Sequence, residues 1–248
     1  MLAISTTQDI RSEIATTGYS VVPGSHIPMT DELAQAWEEL RAEYPHLPAD
    51  EFLPGGARYR FRRYDRFYYL PNTRELHLLP HKDYFQGKDI NHVTGGIVRH
   101  FAPLTKATIN NPFLHALINF DFEQFPLEDE AMREQPWQVD VHQIYVKSEP
   151  GQKGQPTPEG VHRDGAEFVT VHIAALHNAD GGVVSIYDDA KNLLESFRLE
   201  NILDSYLFND AILWHGVTPI HSVDGLHPAQ RGILTFDYHY SPDLTHEG

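Results

Sequence analysis

A mainly β fold with flanking helices is predicted for this chain, its β part reading as a double-sheet jelly roll. Two observations point there. From Trp137 onward, short runs rich in β-branched and aromatic residues follow one another at 139–147, 168–176, 182–187, 194–199, 206–208, 211–217 and 232–240. Turn residues close them, as in Asn178-Ala179-Asp180-Gly181-Gly182 and Asn209-Asp210, and many short strands with regular turns are the pattern of a sandwich or barrel. Before Trp137 the periodicity is helical in three places instead. Apolar residues at 41% and charged residues at 22% of 248 are enough for a packed core. With no linker-like stretch and no internal repeat, one domain over 1–248 is expected. Its helical and mixed part, about 1–136, would pack on a core of about 137–241.

The elements follow in order. Residues 8–17 have helical composition and stop at Gly18. Residues 19–22 read as a short strand that turns at Pro23-Gly24. Thr30 or Asp31 can cap a second helix reaching about Glu43, because Leu33, Ala36, Trp37 and Leu40 recur at helical spacing and Pro45 ends it. Residues 58–70, rich in arginine and aromatics, alternate like a strand. Pro112 suits the first turn of a helix running to Phe120. Residues 152–159 read as a loop leading to His162.

Charge and composition narrow the function classes. The net charge of −16 makes nucleic acid and anionic membranes poor partners, since both want a basic surface. No cysteine is present, which excludes disulfides, thiolate metal sites and cysteine nucleophiles. A reducing, cytoplasmic setting is therefore the expectation. The first residues lack a basic segment followed by an apolar run, and no stretch nears the roughly 20 apolar residues of a membrane helix. The oligomeric state is left open, a homodimer included.

The chemistry-bearing motif is Gly160-Val161-His162-Arg163-Asp164-Gly165. On a strand, His162 and Asp164 point to one face, where an imidazole and a carboxylate can share a metal ion. The spacing is weak by itself, as a chain with 16 histidines shows about one such pair by chance. His81 and Asp83 share it, but follow Pro80 outside any clear strand and read as loop residues. Downstream, the apolar run Ile212-Leu213-Trp214-His215-Gly216-Val217 carries a single histidine, and His215 would complete a set of two histidines and one carboxylate. Such a set with open positions is the donor set of non-haem Fe(II) oxygenases. His221, nearer a turn, is the rival third ligand. Arg231 opens the last strand, where a buried guanidinium is costly without an anion and its fork suits a carboxylate.

In this order, His162, Asp164, His215 and Arg231 resemble the Fe(II)/2-oxoglutarate-dependent dioxygenases. More narrowly, the chain resembles the bacterial group of free amino-acid hydroxylases that includes L-isoleucine 4-hydroxylase and its relatives. Tyr64-Asp65-Arg66-Phe67, Leu79-Pro80-His81, Tyr84-Phe85-Gln86, Gly95-Gly96-Ile97 with Arg99, and Val141-His142-Gln143-Ile144 extend the likeness from about Tyr19 onward. The resemblance implies a cupin-like double-stranded β-helix core. It implies Fe(II) on His162, Asp164 and His215, Arg231 holding the far carboxylate of 2-oxoglutarate, and O2 as co-reactant, with succinate and CO2 released. Many members of the wider superfamily place Ser or Thr two residues after that arginine, whereas Ile233 stands here. The second anchor is therefore open, with Tyr145 and Thr235 as candidates.

By the same resemblance the substrate is a small molecule, a free amino acid or a relative of one. Its charge partners are sought in Arg163, the arginines between 58 and 66, and nearby carboxylates, with His142 and Phe168 as further substrate-binding candidates. The carboxylate of Asp164 favours oxygenation over halogenation, since related halogenases lack it. Desaturation or cyclisation by the same iron-based oxidant is one alternative. A cupin metalloenzyme without 2-oxoglutarate is a second, in which Arg231 would have no reason for its position. A non-enzymatic binding module is a third, disfavoured by the open coordination face.

Overall fold

A computed structural model describes residues 3–87 and 95–246. In chain order the elements are α1 (Ile10–Thr17), β1 (Tyr19–Val22), α2 (Asp31–Arg41), β2 (Arg60–Leu70), β3 (Glu75–Leu78), α3 (Lys106–Ile109) and α4 (Pro112–Glu123). The strand-rich part follows with β4 (Trp137–Ser148), β5 (Phe168–His177), β6 (Ala179–Gly181), β7 (Val183–Tyr187), β8 (Leu193–Arg198), β9 (Ser205–Asn209), β10 (Trp214–Val217), β11 (Ile220–Ser222) and β12 (Ala229–Tyr240). A seven-stranded sheet runs β1-β9-β5-β12-β4-β2-β3, a three-stranded one β10-β7-β8, and β11 pairs with β6. All these pairings are antiparallel. The large sheet facing the small one is the predicted jelly-roll sandwich.

Strand alternation divides the core in two. On β5, Phe168 and Ala174 face the helices, while Val169, Val171 and Ile173 face the small sheet. The helical layer joins that outer face through Trp37 of α2, whose ring lies 4.6 Å from Phe113 of α4. Thr30 caps α2 by accepting from the Leu33 N–H, and Asn111 caps α4 by accepting from Phe113 and Leu114. The Asn111 amide also donates to Ala36 O at 2.8 Å, tying the two helices together. Gly232 on β12 is fixed by close approach: a Cβ there would lie 2.6 Å from the Tyr44 ring.

Three expectations shift. α2 ends at Arg41 rather than Glu43, its last turn held by Arg41 Nε donating to Ala174 O. The strand expected from Ala211 begins only at Trp214, because the Asn209 side chain accepts from Ala211 N–H and turns the chain. His162 is not in a strand: it makes one isolated bridge with His215, and Asp164 lies beyond it, just before a bend at 165–167. No helix among the described residues is long and apolar enough to cross a membrane.

Candidate active site

His162 and His215 are joined through their backbones, His162 N–H donating to His215 O at 2.8 Å and His215 N–H to His162 O at 2.9 Å. The pairing sets their rings 4.3 Å apart. A Cβ on Gly216 would come within 3.2 Å of Gly160 O, so the glycine keeps this junction tight. Asp164 arrives by another route. The buried carboxylate of Asp210 accepts the backbone N–H groups of Asp164, Gly165 and Ala166, folding the bend so that the Asp164 side chain turns back toward both imidazoles. Its Oδ2 lies 3.0 Å from His215 Nε2 and its Oδ1 3.5 Å from His162 Nε2. The three residues thus converge as expected, but the strand alternation expected to bring His162 and Asp164 together is not what does it. Their ligand atoms lie within 4.8 Å of one another, close enough for one ion.

The far ring nitrogens are engaged as metal-ligating imidazoles require. His162 Nδ1 donates to Gly160 O at 3.0 Å, leaving Nε2 toward Asp164. His215 Nδ1 meets the Tyr206 hydroxyl at 3.2 Å. Burial alone would lower His162, but the hydrogen bond and charge of Asp164 outweigh it and raise His162 to about 9. Burial likewise pushes Asp164 up, yet hydrogen bonds and charge from His162 and His215 take it well below the usual carboxylate range. Burial and the charge of Asp164 raise Asp210.

The site opens into a cavity of about 90 Å³ that His162, Asp164 and His215 line together with Arg231. Arg231 enters from β12, buried and with no acidic partner among the described residues, and its Nη2 is buried without a hydrogen bond. Burial draws it below its ordinary value, opposed by Tyr206. Ile144, Val146, Val171, Val217 and Ile233 make an aliphatic wall, and Thr235 lines the same face. His142 lies between two partners. Arg62 Nη2 donates to its Nδ1 at 2.7 Å, and because arginine offers no acceptor, the proton must sit on Nε2, which faces Asp237 Oδ2 at 3.2 Å. Burial, then Arg62, keeps His142 well below its usual range, while burial and the neighbouring carboxylates Asp164, Asp140 and Asp210 raise Asp237.

Several expected site residues lie elsewhere. Tyr145 and Phe168 have the wrong strand parity. Tyr145 packs among Tyr44 and Phe61, and Phe168 stacks on Phe125 at 4.3 Å, both in the helix-facing core. Arg163 alternates away from the ligand face. It binds Asp189 and Leu213 O and lies over the Trp214 ring, so it is a scaffold contact rather than a cavity group. His221 is half-exposed and pairs with Asp180 at 3.3 Å, outside the convergent set. His81 binds Asp65 and Phe101 O, and Asp83 pairs with His100, so that second His-x-Asp does not gather. Asp210, Tyr206, Glu159 and Asp237 were not singled out from sequence. In the sequence, Asn209-Asp210 is an ordinary turn signal between two β-rich runs.

The comparisons with known proteins agree with this geometry. A family model described as 2OG-Fe dioxygenase matches residues 41–237. The chain is 25% identical over 244 residues to a 3(1)-hydroxy-L-isoleucine 4-dioxygenase of Pantoea ananatis, covering 94% of this chain and 96% of that one. It is 25% identical over 203 residues to an L-isoleucine-4-hydroxylase of Bacillus thuringiensis, covering 82% of each. Among solved structures, a bsmA homolog from Methylobium petroleophilum PM1 superposes with a TM-score of 0.82 at 26% identity over 94% of both chains. The structure of IDO from Bacillus thuringiensis superposes with a TM-score of 0.78 at 22% identity, covering 94% of this chain and 98% of that one. The chain belongs to the 2OG-Fe dioxygenase family.

Proposed function

We propose that this member of the 2OG-Fe dioxygenase family hydroxylates an unactivated C–H bond of a free L-amino acid or a close relative, consuming 2-oxoglutarate and releasing succinate and CO2. One observation carries the reading: a metal-binding set of two histidines and a carboxylate shares a cavity with a buried guanidinium that has no counter-ion. A resident Fe(II) fits the donor set, whose outer ring nitrogens are already hydrogen-bonded. The dicarboxylate 2-oxoglutarate fits the orphaned Arg231.

In this reading His162, Asp164 and His215 hold the iron, and Arg231 grips the far carboxylate of 2-oxoglutarate through paired charge-assisted hydrogen bonds. With O2, the bound iron and cosubstrate supply the oxidation of a C–H bond. The protein supplies placement. Asp210 fixes the bend that carries Asp164, Tyr206 orients His215, and Thr235 lies on the Arg231 face of β12 as a further cosubstrate contact. The aliphatic wall shields the reacting carbon from water. Glu159, whose side chain lines the cavity 3.6 Å from His162 Nε2, offers an acceptor for an ammonium group.

The relatives named for isoleucine or hydroxy-isoleucine hydroxylation support an aliphatic amino acid as substrate. Succinate formation by protein loaded anaerobically with Fe(II), then given 2-oxoglutarate, air and each free L-amino acid, tests this. Stimulation by an aliphatic member is expected. Succinate that never rises above the amino-acid-free level would refute the substrate assignment.

A further inference from the structure

Arg231 is not the only buried cation in the cavity. Arg60 is compensated, its Nε and Nη2 both lying 2.8 Å from Asp50 Oδ2. Arg62 and Arg99 are not. They are 6% and 3% exposed, neither has an acidic partner among the described residues, and the Nε of each is buried without a hydrogen bond. Their guanidinium carbons lie over the same two rings. Arg62 is 3.9 Å from the centre of Phe101 and 5.6 Å from Tyr84; Arg99 is 4.7 Å from Tyr84 and 5.5 Å from Phe101. Two like charges thus share one aromatic shelf in a place where burying even one without an anion is costly.

Their arms are held. Arg62 is fixed by its bond to His142 Nδ1, and His142 by Asp237. Arg99 Nη2 donates to Gln86 Oε1 at 2.7 Å, and Gln86 Nε2 donates to Asp164 O at 3.2 Å, linking the arginine to the backbone of a metal-site residue. This cationic centre is separate from Arg231. Arg62 pairs with Ile144 and Ile144 with Ile233, so Arg62 and the β12 face stand two strands apart, about 10 Å at the spacing of strands in a sheet. Ile144 of the aliphatic wall lies between the two flanks.

We propose that Arg62 and Arg99 form one clamp for a carboxylate of the organic substrate, with His142 as a positioning residue for Arg62, and that the enzyme is therefore selective for substrates bearing a free carboxylate. The clamp rests on the dioxygenase reading above and says which end of the amino acid meets the protein on the β2 side. A carboxylate there supplies the counter-ion that both cavity-lining guanidiniums lack among the described residues, and a carboxamide brings an amide NH2 against a guanidinium. Sites built to pair with a charged group reject the uncharged isostere strongly.

The test uses the Fe(II)-loaded protein with 2-oxoglutarate and three panels: free L-amino acids, the matching 2-hydroxy acids, and the matching amino-acid carboxamides. The wild type is expected to prefer an acid over its carboxamide by at least about 100-fold in kcat/KM. In Arg62→Met and Arg99→Met that preference collapses to within a few-fold, because the loss falls on the acid. A merely structural role would lower acid and carboxamide alike. Turnover of 2-hydroxy acids alone, still dependent on both arginines, upholds the clamp and removes the amino-acid reading. Carboxamides that match their acids in the wild type overturn the clamp while leaving the amino-acid reading intact. Succinate formation that no panel stimulates overturns the clamp. The wild-type comparison decides even if a variant fails to fold, and Arg99→Lys, which keeps the charge, is expected to recover part of the preference.

Discussion

Replacing Arg231 with methionine should move stability and cosubstrate binding in opposite directions. The guanidinium is buried, has no acidic partner among the described residues, and leaves Nη2 without a hydrogen bond. An unsatisfied buried polar group costs about 1–3 kcal/mol, more when charged. Methionine keeps much of the volume and removes that cost, so the ligand-free protein is expected to gain about 1–3 kcal/mol. At about 2–4 °C per kcal/mol for a chain of this size, the melting temperature rises by roughly 2–12 °C. The same change removes a pair of hydrogen bonds to a carboxylate, each contributing about 1.5–3 kcal/mol. The affinity for 2-oxoglutarate should fall by about 100-fold or more. Thermal denaturation of anaerobic Fe(II)-loaded protein, with and without 2-oxoglutarate, reads both effects. A variant that melts lower without ligand, yet keeps the full rise on adding 2-oxoglutarate, would refute the assignment.

His215→Ala is expected to abolish stoichiometric iron binding and His221→Ala to leave it intact, as read by metal content after dialysis; the reverse pattern would show that the third ligand was misassigned. Asp210→Ala frees three backbone N–H groups, so chemical denaturation should show a loss of about 2–5 kcal/mol, and iron should be held more weakly; unchanged values would mean the bend does not depend on it. In the metal-free protein His162 is raised to about 9, so below that pH it carries a proton that a metal must displace. Apparent Fe(II) affinity should therefore climb from pH 6 toward 9 by up to about tenfold per unit, then flatten. Chelator competition across that range measures it, and a flat profile would contradict the proton count.

How much was legible in the sequence depended on whether the signal was local. α2 could be read because its apolar spacing and its Thr30 cap lie within a few residues of each other. β4, β5 and β12 could be read because their runs are long. His162 and Asp164 were readable as a pair, although the reason they converge was not local: it is the Asp210 carboxylate, 46 positions on, and not a strand. Which face a residue uses depends on register with a distant partner, so Thr235 on the cavity face and Tyr145 on the core face could not be told apart. Arg62 and Arg99 were invisible as a pair because only the pairing of β2 with β4 and the Tyr84–Arg99 bridge bring them onto one shelf.

The most direct test of the central reading is mass spectrometry of the amino acid after turnover under 18O-labelled O2, run beside a succinate assay. The account predicts that a free aliphatic L-amino acid gains one oxygen atom derived from O2, with succinate formed in step. No succinate under any amino acid, or an amino acid recovered two hydrogens lighter and without added oxygen, would contradict it.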